Sequence, residues 1–214
     1  VPEGLTGQQI VAILNATPKL TGEIDAIPPE GTIAPETYFF TTGEDRAAIL
    51  ARMRAAQAET VDTLWENRAA DLPFDTKEEA LTLASIVEKE TGVGAERAKV
   101  AGVFVNRLRK GMRLQSDPTV IYGVAGGAGL DRPIRQSDLK DRNAYNTYVI
   151  DGLPPTPIAN PGRAAIEAAL DPDGTEYIFF VADGTGGHAF AVELEEHNAN
   201  VARLRALERA GDDG

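Results

Sequence analysis

The sequence contains no cysteine, which excludes disulfides, thiolate metal sites and a cysteine nucleophile together. The absence says little about compartment. Histidine is almost missing as well. His188 and His197 are the only two, too few and too poorly spaced for a zinc site. No run of 18 or more apolar residues occurs, so nothing in these residues reads as a membrane-spanning helix. Positive charge is scarce. The 21 Lys and Arg face 33 Asp and Glu, a net charge of -12, and so acidic a surface repels phosphate backbones and argues against a nucleic-acid partner.

What is present is an ordinary globular balance: 43% hydrophobic and 25% charged residues over 214 positions, enough for one sizeable core. Val1 in place of Met reads as the start of a trimmed or processed piece, from which a signal or anchor could have been removed. Thr6 to Leu14 predicts a short amphipathic helix with Thr6 as its N-cap. Pro28-Pro29-Glu30-Gly31 is turn chemistry and a candidate boundary, and Tyr38-Phe39-Phe40 predicts a strand or a buried extended segment. From Asp45 to about Ala70, Ile49, Met53, Ala56, Thr60, Leu64 and Arg68 recur at helical spacing. Trp65 falls in this helix as a core residue, and Leu72-Pro73 breaks the pattern.

A second helix is predicted over Lys77 to Glu90, stopped by Gly92 and Gly94. A third runs from about Ala95 to Lys110 and is apolar nearly all round, as a buried central helix should be. Residues 112–161 are rich in Gly, Pro, Asn and Asp, with short helices near Thr119–Tyr122 and Gln136–Leu139. So long a loop-rich stretch in a compact domain is usually functional. Tyr177–Ala182 and His188–Val192 flank a glycine-rich turn and predict a β-hairpin. A final helix covers about Glu193 to Ala210, and residues 211–214 read as a frayed tail. The class is α+β, mainly helical with a small antiparallel sheet.

The sharpest chemical signal lies in the second helix. At about 100° per residue, Leu83, Ile86, Val87 and Glu90 share one face, while Glu88 falls on the other side near Lys77, Leu81 and Ser85. Glu90 therefore has the apolar surroundings, and it also sits at the negative end of the helix dipole. Both effects disfavour the charged carboxylate and push its pKa upward, which is what a general acid needs near neutral pH. A glutamate kept protonated against apolar groups is the acid of a glycosidase. Read from pattern alone, a solvated Glu at a fraying helix end fits too.

Several segments together carry a resemblance. They are Ala84-Ser85-Ile86-Val87-Glu88-Lys89-Glu90-Thr91, Val105-Asn106-Arg107-Leu108, and Leu114-Gln115-Ser116-Asp117-Pro118-Thr119-Val120-Ile121-Tyr122-Gly123. Further along come Ala144-Tyr145-Asn146-Thr147-Tyr148, Gly152-Leu153-Pro154-Pro155, Asn160-Pro161-Gly162, and Phe180-Val181-Ala182 leading to Gly186-Gly187-His188. In this order, from about residue 28 to 198, they closely resemble the endolytic murein transglycosylase (YceG-like) family.

The resemblance implies a catalytic domain over residues 25–210 with a lysozyme-like helix presenting the acid. It makes residues 1–24 the C-terminal part of a LysM-like subdomain. A membrane helix absent from these residues would anchor the full-length protein to the periplasmic face of the bacterial inner membrane. The implied activity cleaves the β-1,4 bond between N-acetylmuramic acid and N-acetylglucosamine without water, leaves 1,6-anhydromuramoyl ends and limits strand length. The implied partners are peptidoglycan strands and penicillin-binding protein synthases, and no cofactor or metal is called for. The family's catalytic glutamate aligns with Glu90.

Around it, Gln115, Ser116, Asp117 and Thr119 are candidates to hold sugar hydroxyls and N-acetyl groups. Ser116-Asp117-Pro118-Thr119 also reads as a helix start, with Asp117 as N-cap and Pro118 at the first helical position. Tyr122, Tyr145 and Tyr148 offer faces that stack on sugars or pack in a core. Asn146 could orient Glu90, bind substrate or simply close an Asx-turn. Arg107 reads as buried and in want of a carboxylate partner. His188 follows a glycine turn and could reach the site. Two other functions fit the same residues: a muramidase using Asp117 as a second carboxylate, and a non-catalytic peptidoglycan-binding or scaffold module.

Overall fold

Helix α1 (Gly7–Ala16) opens the chain with a capping box: Thr6 accepts from the Gln9 amide while the Gln9 side chain accepts from the Thr6 amide. In this computed structural model, which describes residues 1–212, α2 spans Arg46–Glu66 and α3 spans Lys77–Glu90. A second capping box, Thr76 with Glu79, starts α3. A 3-10 turn at Gly94–Glu96 leads into α4 (Arg97–Arg109). Then come α5 (Asp117–Ala125), α6 (Arg163–Leu170), the antiparallel pair β1 (Phe179–Ala182) and β2 (His188–Ala191), and α7 (Leu194–Asp212). The hairpin register pairs Phe180 with Phe190 and Ala182 with His188.

Two apolar cores form. The larger gathers Leu83, Ile86 and Val87 of α3, Val100, Phe104 and Val105 of α4, and Ile166 and Leu170 of α6. Gly102 lets α4 meet the chain after α6: a Cβ there would stand 2.7 Å from the Asp173 carbonyl oxygen. The smaller core joins Ile10, Val11 and Leu14 of α1 to Leu20, Ile24, Ile33 and the first half of α2 through Ile49 and Met53. Val61 carries the second half of α2 into the larger core. Asn160 pins the two together. Its side chain accepts from the Ile33 amide at 3.0 Å and donates to Leu5 O and Glu30 Oε2, each at 3.1 Å.

Several local expectations are corrected. Tyr38–Phe40 is not a strand, and only Tyr38 is partly buried, against the smaller core; Phe39 is 85% exposed, and among the described residues no strand pairs with it. Helix α2 ends at Glu66, and its buried ridge is Ile49, Met53, Gln57 and Val61. Arg68 lies beyond the helix end, its guanidinium 4.1 Å over the Trp65 ring. No left-handed glycine stops α3. Thr91 does so by turning extended (φ -136°), its amide still donating to Val87. Helix α6 was not anticipated. Helix α7 runs through Asp212, past residue 211 where a tail was expected to begin, and the rest of that tail, residues 213–214, lies outside the described residues.

Candidate active site

Glu90 is the last residue of α3, and its side chain points into a cleft of about 470 Å³. One wall is Arg107 of α4 with Leu114, Gln115, Asp117 and Tyr148; the other is Phe180, Val181, Ala182 and His188 of the hairpin with His197 and Val201 of α7. Burial raises the pKa of Glu90, the negative charge of Asp117 raises it further, and the hydroxyl of Ser116 together with the positive charge of Arg107 pulls it down. Burial outweighs the rest, so the carboxyl holds its proton above the usual range.

Ser116 Oγ donates to Glu90 Oε1 at 2.5 Å. Ser116, not Asp117, is the N-cap of α5, with Asp117 and Pro118 opening the helix, yet its hydroxyl makes no capping bond. That hydroxyl is committed to Glu90 instead, and Ser116 is held by its backbone. Its amide donates to Thr147 Oγ1 at 2.9 Å, its carbonyl accepts from Thr119 Oγ1 at 2.6 Å, and the two threonine hydroxyls meet at 2.8 Å. The preceding Gln115 sits at φ 53°, in the left-handed region that costs a non-glycine residue about 1–2 kcal/mol.

Among the described residues Arg107 finds no carboxylate partner, contrary to expectation. Its guanidinium is spent on carbonyls: Nε to Ile178 O at 2.7 Å, and Nη1 to Leu114 O at 2.8 Å and Arg113 O at 3.2 Å. One buried side chain therefore ties the segment leading into the hairpin to the loop that carries Ser116, and so joins the two walls. Five donors in a fixed fork suit arginine to that task.

The structure brings Gln115, Ser116, Asp117 and Tyr148 together around Glu90. Asp117 Oδ1 accepts from the Tyr148 hydroxyl at 2.7 Å, and burial with that hydrogen bond raises the Tyr148 pKa. Thr119 is fully buried one layer behind Ser116. Asn146 is also fully buried and apart from Glu90; its amide donates to the carbonyls of Asp138, Leu139 and Asp141, closing the loop beneath the cleft. Tyr122 and Tyr145 pair with each other at 4.9 Å between ring centroids. Tyr122 sits beside Glu30, where burial pushes its pKa up to about 12, and Tyr145 bonds Thr156 at 2.8 Å. Neither lines the cleft.

Glu88 is less exposed than its helix face suggested, its side chain only 7% accessible. Its surroundings differ in kind from those of Glu90. Glu88 Oε2 accepts from the Gly162 amide at 3.0 Å, at the start of α6, and Arg97 stands 3.8 Å from Oε1. It serves the junction of two helices, and Glu90 serves the cleft. Among the cleft residues, His197 was missed as a site residue. The spacing of His197 and Val201, four apart on one helix face, was the signal available.

The YceG-like family model matches residues 1–203. The chain is 40% identical over 175 residues to the endolytic murein transglycosylase of Bacillus subtilis (strain 168), covering 80% of this chain and 46% of that protein. It is 33% identical over 178 residues to the endolytic murein transglycosylase of Streptococcus pneumoniae (strain D39), covering 81% of this chain and 32% of that one. The chain thus spans less than half the length of these relatives. The crystal structure of a yceG-like protein from Listeria monocytogenes superposes with a TM-score of 0.72 at 33% identity, over 93% of this chain and 74% of that one. This chain belongs to the YceG-like family.

Proposed function

We propose that the chain is the catalytic part of a peptidoglycan lytic transglycosylase with Glu90 as its acid and base. The observation that carries the reading is a single half-buried carboxyl, biased toward its protonated form, at the wall of an open cleft. The names of the Bacillus and Streptococcus relatives favour the same chemistry.

Because Oε1 accepts from Ser116, Oε2 is left to carry the acid proton. Glu90 gives that proton to the glycosidic oxygen as the C1–O bond of the muramoyl unit breaks. The muramoyl 6-hydroxyl closes on C1, and its proton passes to the Glu90 carboxylate, restoring the acid. Proximity of the 6-hydroxyl replaces an activated water, so a second catalytic carboxylate is not required. A positioned acid supplies about 10²–10⁴-fold, and the polar groups of the 115–117 loop supply part of the remainder. Gln115, Asp117 and Tyr148 line the cleft and would hold sugar hydroxyls there.

The same proposal includes the LysM-like origin of residues 1–24, an anchor at the periplasmic face of the inner membrane, control of strand length, and work beside penicillin-binding protein synthases. The test is digestion of purified peptidoglycan by the wild-type protein and by Glu90→Gln, with the ends identified by mass spectrometry. New anhydromuramoyl ends that vanish in Glu90→Gln are expected. Reducing ends would instead assign a hydrolase with Asp117 as second carboxylate. Glycan binding without cleavage would assign a binding module.

A further inference from the structure

We propose that His188, gripped by Glu96, is a positioning residue that accepts a hydrogen bond from a sugar hydroxyl in the Glu90 cleft, the muramoyl 6-hydroxyl. This rests on the transglycosylase reading above. Glu96 Oε2 lies 2.8 Å from His188 Nδ1, and Glu96 Oε1 accepts from the His188 backbone amide at 3.2 Å. Both oxygens of one carboxylate therefore hold one residue, fixing ring and backbone together. The grip depends on the neighbouring glycine, since a Cβ on Gly187 would stand 2.9 Å from Glu96 Oε1. Phe180 packs edge-on to the imidazole at 5.4 Å and limits its rotation.

A carboxylate on Nδ1 selects the tautomer with the proton there and leaves the Nε2 lone pair as an acceptor. Among the described residues Nε2 has no hydrogen-bond partner and is not enclosed, while the ring lines the cleft. The chain has two histidines, and this one is built into a strand edge with a dedicated carboxylate behind it. A hydroxyl donor is what such a nitrogen fits. Held there, the 6-hydroxyl stays aligned on C1 ahead of any water; once Glu90 has given its proton to the leaving oxygen, the hydroxyl's single proton turns from Nε2 to the Glu90 carboxylate as the O6–C1 bond forms, and His188 stays neutral throughout.

The test uses the full-length protein on purified peptidoglycan, scoring rate and the ratio of anhydromuramoyl to reducing ends. His188→Phe keeps the ring and its packing and removes the acceptor. It should lose about 10²-fold in kcat, as a misplaced reactant does, with KM little changed and reducing ends appearing as water competes. His188→Gln, whose amide oxygen reaches about as far as Nε2, should recover at least about tenfold of that loss. If His188→Phe does not fold, Glu96→Ala, which unties the ring and leaves its nitrogens, should show the same change in product ratio. Unchanged rate and ends in His188→Phe overturn the proposal. So does a slower variant that still yields only anhydromuramoyl ends and is not rescued by Gln. Absence of cleavage by the wild type overturns the transglycosylase reading itself, and Glu90→Gln separates the two cases.

Discussion

Ser116 stands at the cap of α5, yet gives its hydroxyl to Glu90 at 2.5 Å. A cap bond contributes about 1 kcal/mol to a helix. Here that stabilisation is forgone for a hydrogen bond that bears on the acid. The hydroxyl favours the ionised carboxylate, opposing the burial that favours the neutral one.

Removing the hydroxyl therefore has a defined sign. Ser116→Ala should raise the Glu90 pKa further, and the alkaline limb of the kcat/KM profile should move to higher pH. The rate at the optimum should fall about tenfold, matching about 1.5 kcal/mol for a hydrogen bond to a charged group. A limb that moves to lower pH would be inconsistent with Glu90 as the acid.

Asp117→Asn acts the other way. The negative charge of Asp117 raises the Glu90 pKa, so its removal should lower that pKa and move the alkaline limb to lower pH. The Tyr148 hydroxyl keeps an acceptor in the Asn carbonyl. Product analysis should still find anhydromuramoyl ends, and their loss would make Asp117 a partner in the chemistry.

Glu90→Gln should be more stable than the wild type near neutral pH. At low pH the acid is neutral in both folded and unfolded chains. As pH rises through the ordinary glutamate range, the unfolded chain ionises while the folded carboxyl keeps its proton, so wild-type stability falls until the raised folded pKa is passed. Gln has no proton to lose, so its advantage should grow across that window. A gain of about 2–4 °C in Tm at pH 7, corresponding to about 1 kcal/mol at this size, should vanish at pH 4. Thermal scans at the two pH values decide it.

Arg107→Lys is not a conservative change. An ammonium cannot serve the carbonyls of Ile178 and Leu114 together, and each buried carbonyl left unpaired costs about 1–3 kcal/mol. Urea unfolding should show a lower midpoint with an unchanged m-value. A midpoint within error of wild type would mean that the two walls do not depend on this bridge.

Much of this was legible before any coordinates. Helix α3 announced itself through its period, and Glu90 through its place at i+3, i+4 and i+7 from Val87, Ile86 and Leu83. The hairpin and the Thr6 cap were equally plain, because their signals are local. Other features escaped for the same reason. Periodicity places Glu88 opposite Glu90, but it cannot know that the Gly162 amide arrives from 74 residues away to bury it. Arg107 reads as charged and therefore as seeking a charge; carbonyls carry no residue identity, so its partners leave no trace in sequence. Helix α6 lay under the proline-rich stretch before it, although Arg163-Ala-Ala-Ile-Glu-Ala-Ala-Leu170 is made of strong helix formers.

Asn160 also sets an order of events. Its side chain needs Leu5, Glu30 and Ile33 at once, across separations of 155, 130 and 127 residues, and closing so long a loop is the step whose entropy is repaid last. The larger core can assemble around α3, α4 and α6 while the N-terminal segment is still undocked. The seam is then a late lock rather than a nucleus. Asn160→Ala should speed unfolding and leave the folding arm of the chevron in place. The chain would acquire its active cleft before it acquires its final outline.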